Sequence, residues 1–174
     1  MTGLHMGEQI KKRGQMMKRL MKTVSLTAAA VLTALSLTAC SGGGAKTIDV
    51  AKVADELNSS VITTDQLTET QSSMLSGIYF FEEGQVTNSK VYMSGNATAD
   101  EICVVECKDE AAAKAVKDLL DTRVKNQADL FASYNPDEAA KLGDAIVKSA
   151  GKYAVMVVCD DYAKAESILK EAGF

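Results

Sequence analysis

The chain has 174 residues, one domain's worth, with 19 basic and 23 acidic side chains and a single histidine, His5. Residues 1–39 hold six of the basic residues and one acid, which leaves a body of 13 basic and 22 acidic residues, net −9. That charge speaks against nucleic acid as a partner, and the position of His5 removes imidazole from any triad, proton shuttle or His-bearing zinc site in the body.

A basic head (Lys11, Lys12, Arg13, Lys18, Arg19, Lys22) precedes an uncharged run of 17 residues from Thr23 to Ala39. The run is diluted by Thr and Ser and sits at the lower limit for spanning a bilayer, so it fits the apolar region of a cleaved signal better than a permanent transmembrane helix. It ends in Leu37-Thr38-Ala39-Cys40, which resembles the lipobox of bacterial lipoproteins. The resemblance implies cleavage before Cys40, lipidation of its thiol, and attachment to the outer face of the cytoplasmic membrane. Ser41-Gly42-Gly43-Gly44-Ala45-Lys46 reads as a flexible tether. The expected organisation is a signal peptide over 1–39, a lipidated tether over 40–47 and one domain over 48–174. A start at Met16, Met17 or Met21 would leave residues 1–15 untranslated.

Within the domain, Ile48 to Asn58 has the i, i+3, i+4 stripe of an amphipathic helix. Asp65 to Leu75 is ambiguous between a helical turn and an extended cover. Gly77 to Phe81 is rich in β-formers and reads as a strand, with Glu82 to Gln85 as a turn. Val86 to Met93 alternates loosely, and Ser94-Gly95-Asn96 is a turn signal. Ile102 to Cys107 is apolar nearly throughout, the pattern of a central strand. Asp109 is placed to cap a long helix running to about Ser133, which Asn135-Pro136 ends or restarts. Ala145 to Lys148 and Tyr153 to Cys159 read as a hairpin around Gly151-Lys152. Asp160 or Asp161 then caps a terminal helix that Gly173 stops. This order predicts an α+β fold, a mainly antiparallel sheet of about four to five strands with helices on one face.

Signatures of chemistry are scarce. There is no Gly-x-Ser-x-Gly elbow, no phosphate-binding glycine loop and no Asp ladder of a calcium site, and nothing points to a cofactor or a metal. Cys103 and Cys107 share a face but lie about 13 Å apart along a strand, too far to bridge. Either could pair with Cys159, or all three remain free. The acidic pairs Asp100-Glu101, Asp109-Glu110, Asp137-Glu138 and Asp160-Asp161 stand mostly at expected helix starts, where capping explains them.

The long helix holds one anomaly. On the helical wheel Val116, Leu120, Phe131 and Tyr134 share a sector, and Arg123 and Gln127 fall among them. An Arg there needs a carboxylate or several carbonyls. One reading is a core pair with Glu101, Glu106 or another acid of the facing strand. The other is a groove in which Arg123, Gln127 and Tyr134 recognise an anionic group or a peptide carboxylate.

The stretch Gly95 to Ile102, the pattern Arg123-x3-Gln127-x3-Phe131-x2-Tyr134 and the run Gly151 to Val158 resemble the family called domain of unknown function 4358. The resemblance covers roughly residues 48–172. It implies a small lipoprotein of Firmicutes outside the cytoplasmic membrane, and brings no activity, ligand or catalytic residue with it. The expected role is therefore a non-enzymatic binding or interaction module, anchored through Cys40, whose partner is a protein, a peptide or a small anionic ligand. The alternatives are a cell-envelope hydrolase or transferase working through paired carboxylates, and a structural assembly subunit.

Overall fold

The computed structural model describes residues 47–174. The expected signal peptide, the expected lipidation site Cys40 and nearly all of the expected tether lie outside the described residues.

The elements are α1 (Val50–Ser60), β1 (Leu67–Glu69), a 3₁₀ turn (Ser72–Met74), α2 (Leu75–Tyr79), β2 (Val86–Ser94), β3 (Glu101–Cys107), α3 (Glu110–Phe131), α4 (Pro136–Gly143), β4 (Ile146–Ala150), β5 (Tyr153–Val158) and α5 (Tyr162–Ala172). The strands form one antiparallel sheet in the order β1-β2-β3-β5-β4. The α+β class and the antiparallel sheet are thus as the sequence predicts, and β3 is indeed the central strand.

The helices differ from the expectation in covering both faces rather than one. Alternation along β3 sends Ile102 and Val104 to one face, where they pack with Val53, Leu57, Ile168 and Leu169 of α1 and α5. It sends Cys103, Val105 and Cys107 to the other, where they meet Leu75, Tyr79, Val116 and Leu120 of α2 and α3. The topology explains the split. Strands β3 and β4 both run antiparallel to β5, which lies between them, so they are parallel to one another and need a crossover. The crossover α3–α4 occupies one face, and α5, following β5, closes the other with α1. A small third cluster of Ala99, Phe131, Leu142 and Val158 ties α3 and α4 to the sheet end.

The expected strand at Gly77 to Phe81 is instead the end of α2. The β-propensity of Ile78, Tyr79 and Phe80 is overridden because Leu75 and Tyr79, four apart, are both buried on the same helical face. Phe80 caps α2 in the left-handed conformation, φ 61°, donating its N–H to the Ser76 carbonyl at 2.9 Å. The turn brings Phe81 inward to stack on Tyr79 with ring centroids 5.0 Å apart.

The caps follow local chemistry. Asp49, Asp109 and Asp161 accept from the backbone N–H three residues on, at the starts of α1, α3 and α5. Gly151 opens the β4–β5 turn at φ 53°, and Gly173 ends α5 at φ 112°. Cys103, Cys107 and Cys159 are free and buried. Cys159 belongs to the core on the α1–α5 face and Cys103 and Cys107 to the opposite one, so the sheet separates them.

Candidate functional site

The sheet and α3 bring Arg123 onto the first residue of β3. Arg123 donates from Nε to Glu101 Oε1 at 2.7 Å and from Nη2 to Oε2 at 2.6 Å, a bidentate pair with side chains 15% and 7% exposed. The Tyr79 hydroxyl donates to the same Oε1 at 2.5 Å, and the guanidinium lies 5.1 Å from the Tyr79 ring centroid. Glu101 therefore receives three hydrogen bonds, the condition under which a buried carboxylate is tolerated. Burial pushes the Tyr79 phenol well above its ordinary range, with the negative charge of its neighbours adding to it. For Arg123 burial works downward, and the bonds to Glu101 outweigh it and raise the guanidinium.

Around this pair opens a cleft of about 420 Å³ between α2 and α3. Ile78, Tyr79, Phe80, Met93 and Leu119 supply apolar wall, and Thr122, Arg123, Asn126 and Gln127 supply polar groups. Its volume is within the range of small-ligand sites. Phe80 stands in that wall with its residue 74% exposed. The backbone at this point requires a positive φ, where Gly or Asn is cheap and a bulky residue costs roughly 1–2 kcal/mol. Stacking of Tyr79 on Phe81 accounts for the backbone, but not for a phenyl ring held in water.

Of the three residues grouped on the helical wheel, Arg123 and Gln127 line this cleft and Tyr134 does not. Helix α3 ends at Phe131, so helical geometry no longer places Tyr134; it is 54% exposed and packs on Phe131 with ring centroids 5.1 Å apart.

A second polar cluster escaped the sequence reading. Lys141, on α4, places its Nζ 2.9 Å from Asp100 Oδ1, 2.9 Å from Asp160 Oδ1 and 3.3 Å from Glu138 Oε2. Asp100 also accepts from the backbone N–H groups of Thr64 and Asp65, and Glu138 from that of Ala99 at 2.7 Å. The Lys141 and Asp100 side chains are 9% and 0% exposed. Burial works against the Lys141 ammonium, but the bonds from Asp160 and Asp100 raise it well above its ordinary value of 10.5. The cluster borders a cleft of about 550 Å³ that Asp144, Cys159 and Tyr162 also line. Asp100, Glu138 and Asp160 therefore face Lys141 instead of serving only as helix caps. Among the described residues no group of three or more His, Cys, Asp or Glu is placed to hold a metal ion.

Burial pushes the Cys107 and Cys159 thiols up to about 11, and Cys103 further still, which leaves none of them a ready nucleophile.

The family model described as Domain of unknown function (DUF4358) matches residues 59–159, more than half of the chain. The chain belongs to this family. The matched DUF4358 segment contains Tyr79, Phe80, Glu101, Arg123 and Gln127 of the first cleft, and Asp100, Glu138 and Lys141 of the second; Asp160 and Tyr162 lie just beyond it. No curated protein and no solved structure matches the chain.

Proposed function

We propose that this DUF4358 protein is a lipoprotein held through Cys40 on the outer face of the cytoplasmic membrane, and that its domain is a non-enzymatic binding module using the α2–α3 cleft. The anchor rests on the basic leader, the apolar run ending at Cys40 and the glycine tether. The binding role rests on one observation: Phe80 keeps an exposed aromatic ring in a left-handed backbone position, in the wall of a cleft also lined by Arg123, whose charge is paired with Glu101. Aromatic side chains with one face in water are favoured contact groups in recognition. Fatty-acid labelling in cells tests the anchor, and a Cys40→Ala chain that still takes up label would overturn it. Genetic complementation tests the cleft: Phe80→Ala, present at normal abundance, should fail wherever deletion has a phenotype, and full complementation would refute the binding role.

A second reading, a hydrolase or transferase of envelope material, draws on the convergence of Asp100, Glu138 and Asp160. Their oxygens approach one another closely enough for paired-carboxylate chemistry. Against it, Lys141 sits between them, and Asp100 and Glu138 are also tied to backbone N–H groups, so these two have little freedom to reach a substrate.

A further inference from the structure

Resting on the binding role just given, we infer that the α2–α3 cleft selects an uncharged amide bearing an apolar side chain, as in an internal peptide segment, over a free carboxylate.

Arg123 is already committed to Glu101. Nε and Nη2 are both engaged by Glu101, while Nη1 makes no hydrogen bond to the described residues. Arg123 therefore lines the cleft with a donor to spare but with its charge already balanced. An anion approaching Nη1 would meet a guanidinium whose charge the Glu101 carboxylate already offsets, so it would gain little attraction while still losing its hydration. A carbonyl oxygen has no such charge to desolvate and accepts the same hydrogen bond.

The remaining groups point the same way. Asn126 and Gln127 offer amide donors and acceptors, which pair naturally with a peptide unit. The lysines of α3 bring no net positive charge to the site, since Lys114 pairs with Glu110 at 2.8 Å, and Lys117 with Asp121 and Lys125 with Asp129 at 2.6 Å. The body as a whole is net negative, 13 basic against 22 acidic residues, which further disfavours anions. Ile78, Phe80, Met93 and Leu119 give an apolar side chain a place to pack. Of the two sequence readings of Arg123, the pair with Glu101 is the one the geometry shows, and the ligand proposed for the cleft is accordingly neutral rather than anionic.

The test is a pair of probes: N-acetyl-alanyl-phenylalanine amide and the same dipeptide with a free C-terminal carboxylate, titrated into the full chain and followed by amide ¹H–¹⁵N shifts. The amide should move the signals of Phe80, Arg123 and Gln127, bind at least about fivefold more tightly than the carboxylate, and change little with salt. Phe80→Ala, which removes an exposed ring and should leave the fold intact, should abolish the shifts. A carboxylate that binds as well or better, and weakens in salt, would overturn the ligand class while leaving the cleft as a binding site. Cleft signals that respond to neither probe, or that respond unchanged in Phe80→Ala, would overturn both the ligand class and the binding role.

Discussion

Replacing Arg123 with Met should be among the most damaging single changes in the domain. Glu101 is 7% exposed and receives three hydrogen bonds, two of them from Arg123. The substitution leaves a buried carboxylate with Tyr79 alone, and removing one partner of a buried pair costs about 3–5 kcal/mol. That is a large share of the roughly 5–15 kcal/mol that holds a typical domain folded. With a urea slope of about 1.5 kcal/mol/M, the unfolding midpoint should fall by about 2–3 M. A double-mutant cycle isolates the pair. Arg123→Met combined with Glu101→Met removes both charges, so the double variant should be more stable than Arg123→Met alone. The remaining deficit should reflect the Tyr79 hydroxyl, left without its acceptor at a cost of about 1–3 kcal/mol. Adding Tyr79→Phe should recover most of that. A cost below about 1 kcal/mol for Arg123→Met, or single losses that simply add in the double variant, would mean that Arg123 and Glu101 are not an energetically coupled buried pair.

Phe80→Gly should stabilise the domain, because relief of the left-handed penalty exceeds the extra freedom glycine gives the unfolded chain. The net gain is about 0.5–1 kcal/mol, or roughly 2–5 °C in Tm by calorimetry, and a lower Tm would mean that the ring supports the fold. Cys103, Cys107 and Cys159 should resist a thiol reagent near pH 8 and react only after denaturation; stoichiometric labelling of the native state would contradict their burial. Stability should also decline on the alkaline side. The raised thiols keep their protons in the folded state while an unfolded thiol loses them above about 9, and Lys141, raised from 10.5, adds stability that is complete below that value and is lost as pH climbs through its higher folded one. Urea midpoints that rise between pH 9 and 11 would reverse the sign.

Much of the fold was legible because its signals are local. The central strand β3 shows itself by an unbroken apolar run, and α3 and α5 by their Asp caps. Glu101 stood among the acids expected to answer Arg123, since an interior Arg must have a partner. Position within the fold was harder. An amphipathic helix declares one apolar stripe without saying which face of a sheet it covers, so the second helical layer went unseen. Aromatic β-formers disguised α2, whose helical spacing rests on only Leu75 and Tyr79. The Lys141 cluster was hidden because Thr64, Asp100, Lys141 and Asp160 come from four separate segments, and because acids beside helix starts look alike whether they cap or pair. Tyr134 was misplaced by carrying the helical angle past the last turn of α3.

The division of the sheet into two helical layers has a practical side. Ile48 and Phe174 both pack in the α1–α5 layer, whereas the Phe80–Arg123 cleft belongs to the opposite one. A support, dye or fusion partner joined ahead of Ile48 or after Phe174 therefore enters through the layer that the cleft does not use. The domain can be immobilised through that layer with the Phe80–Arg123 cleft turned to the solution, and a second module grafted there would leave the cleft open.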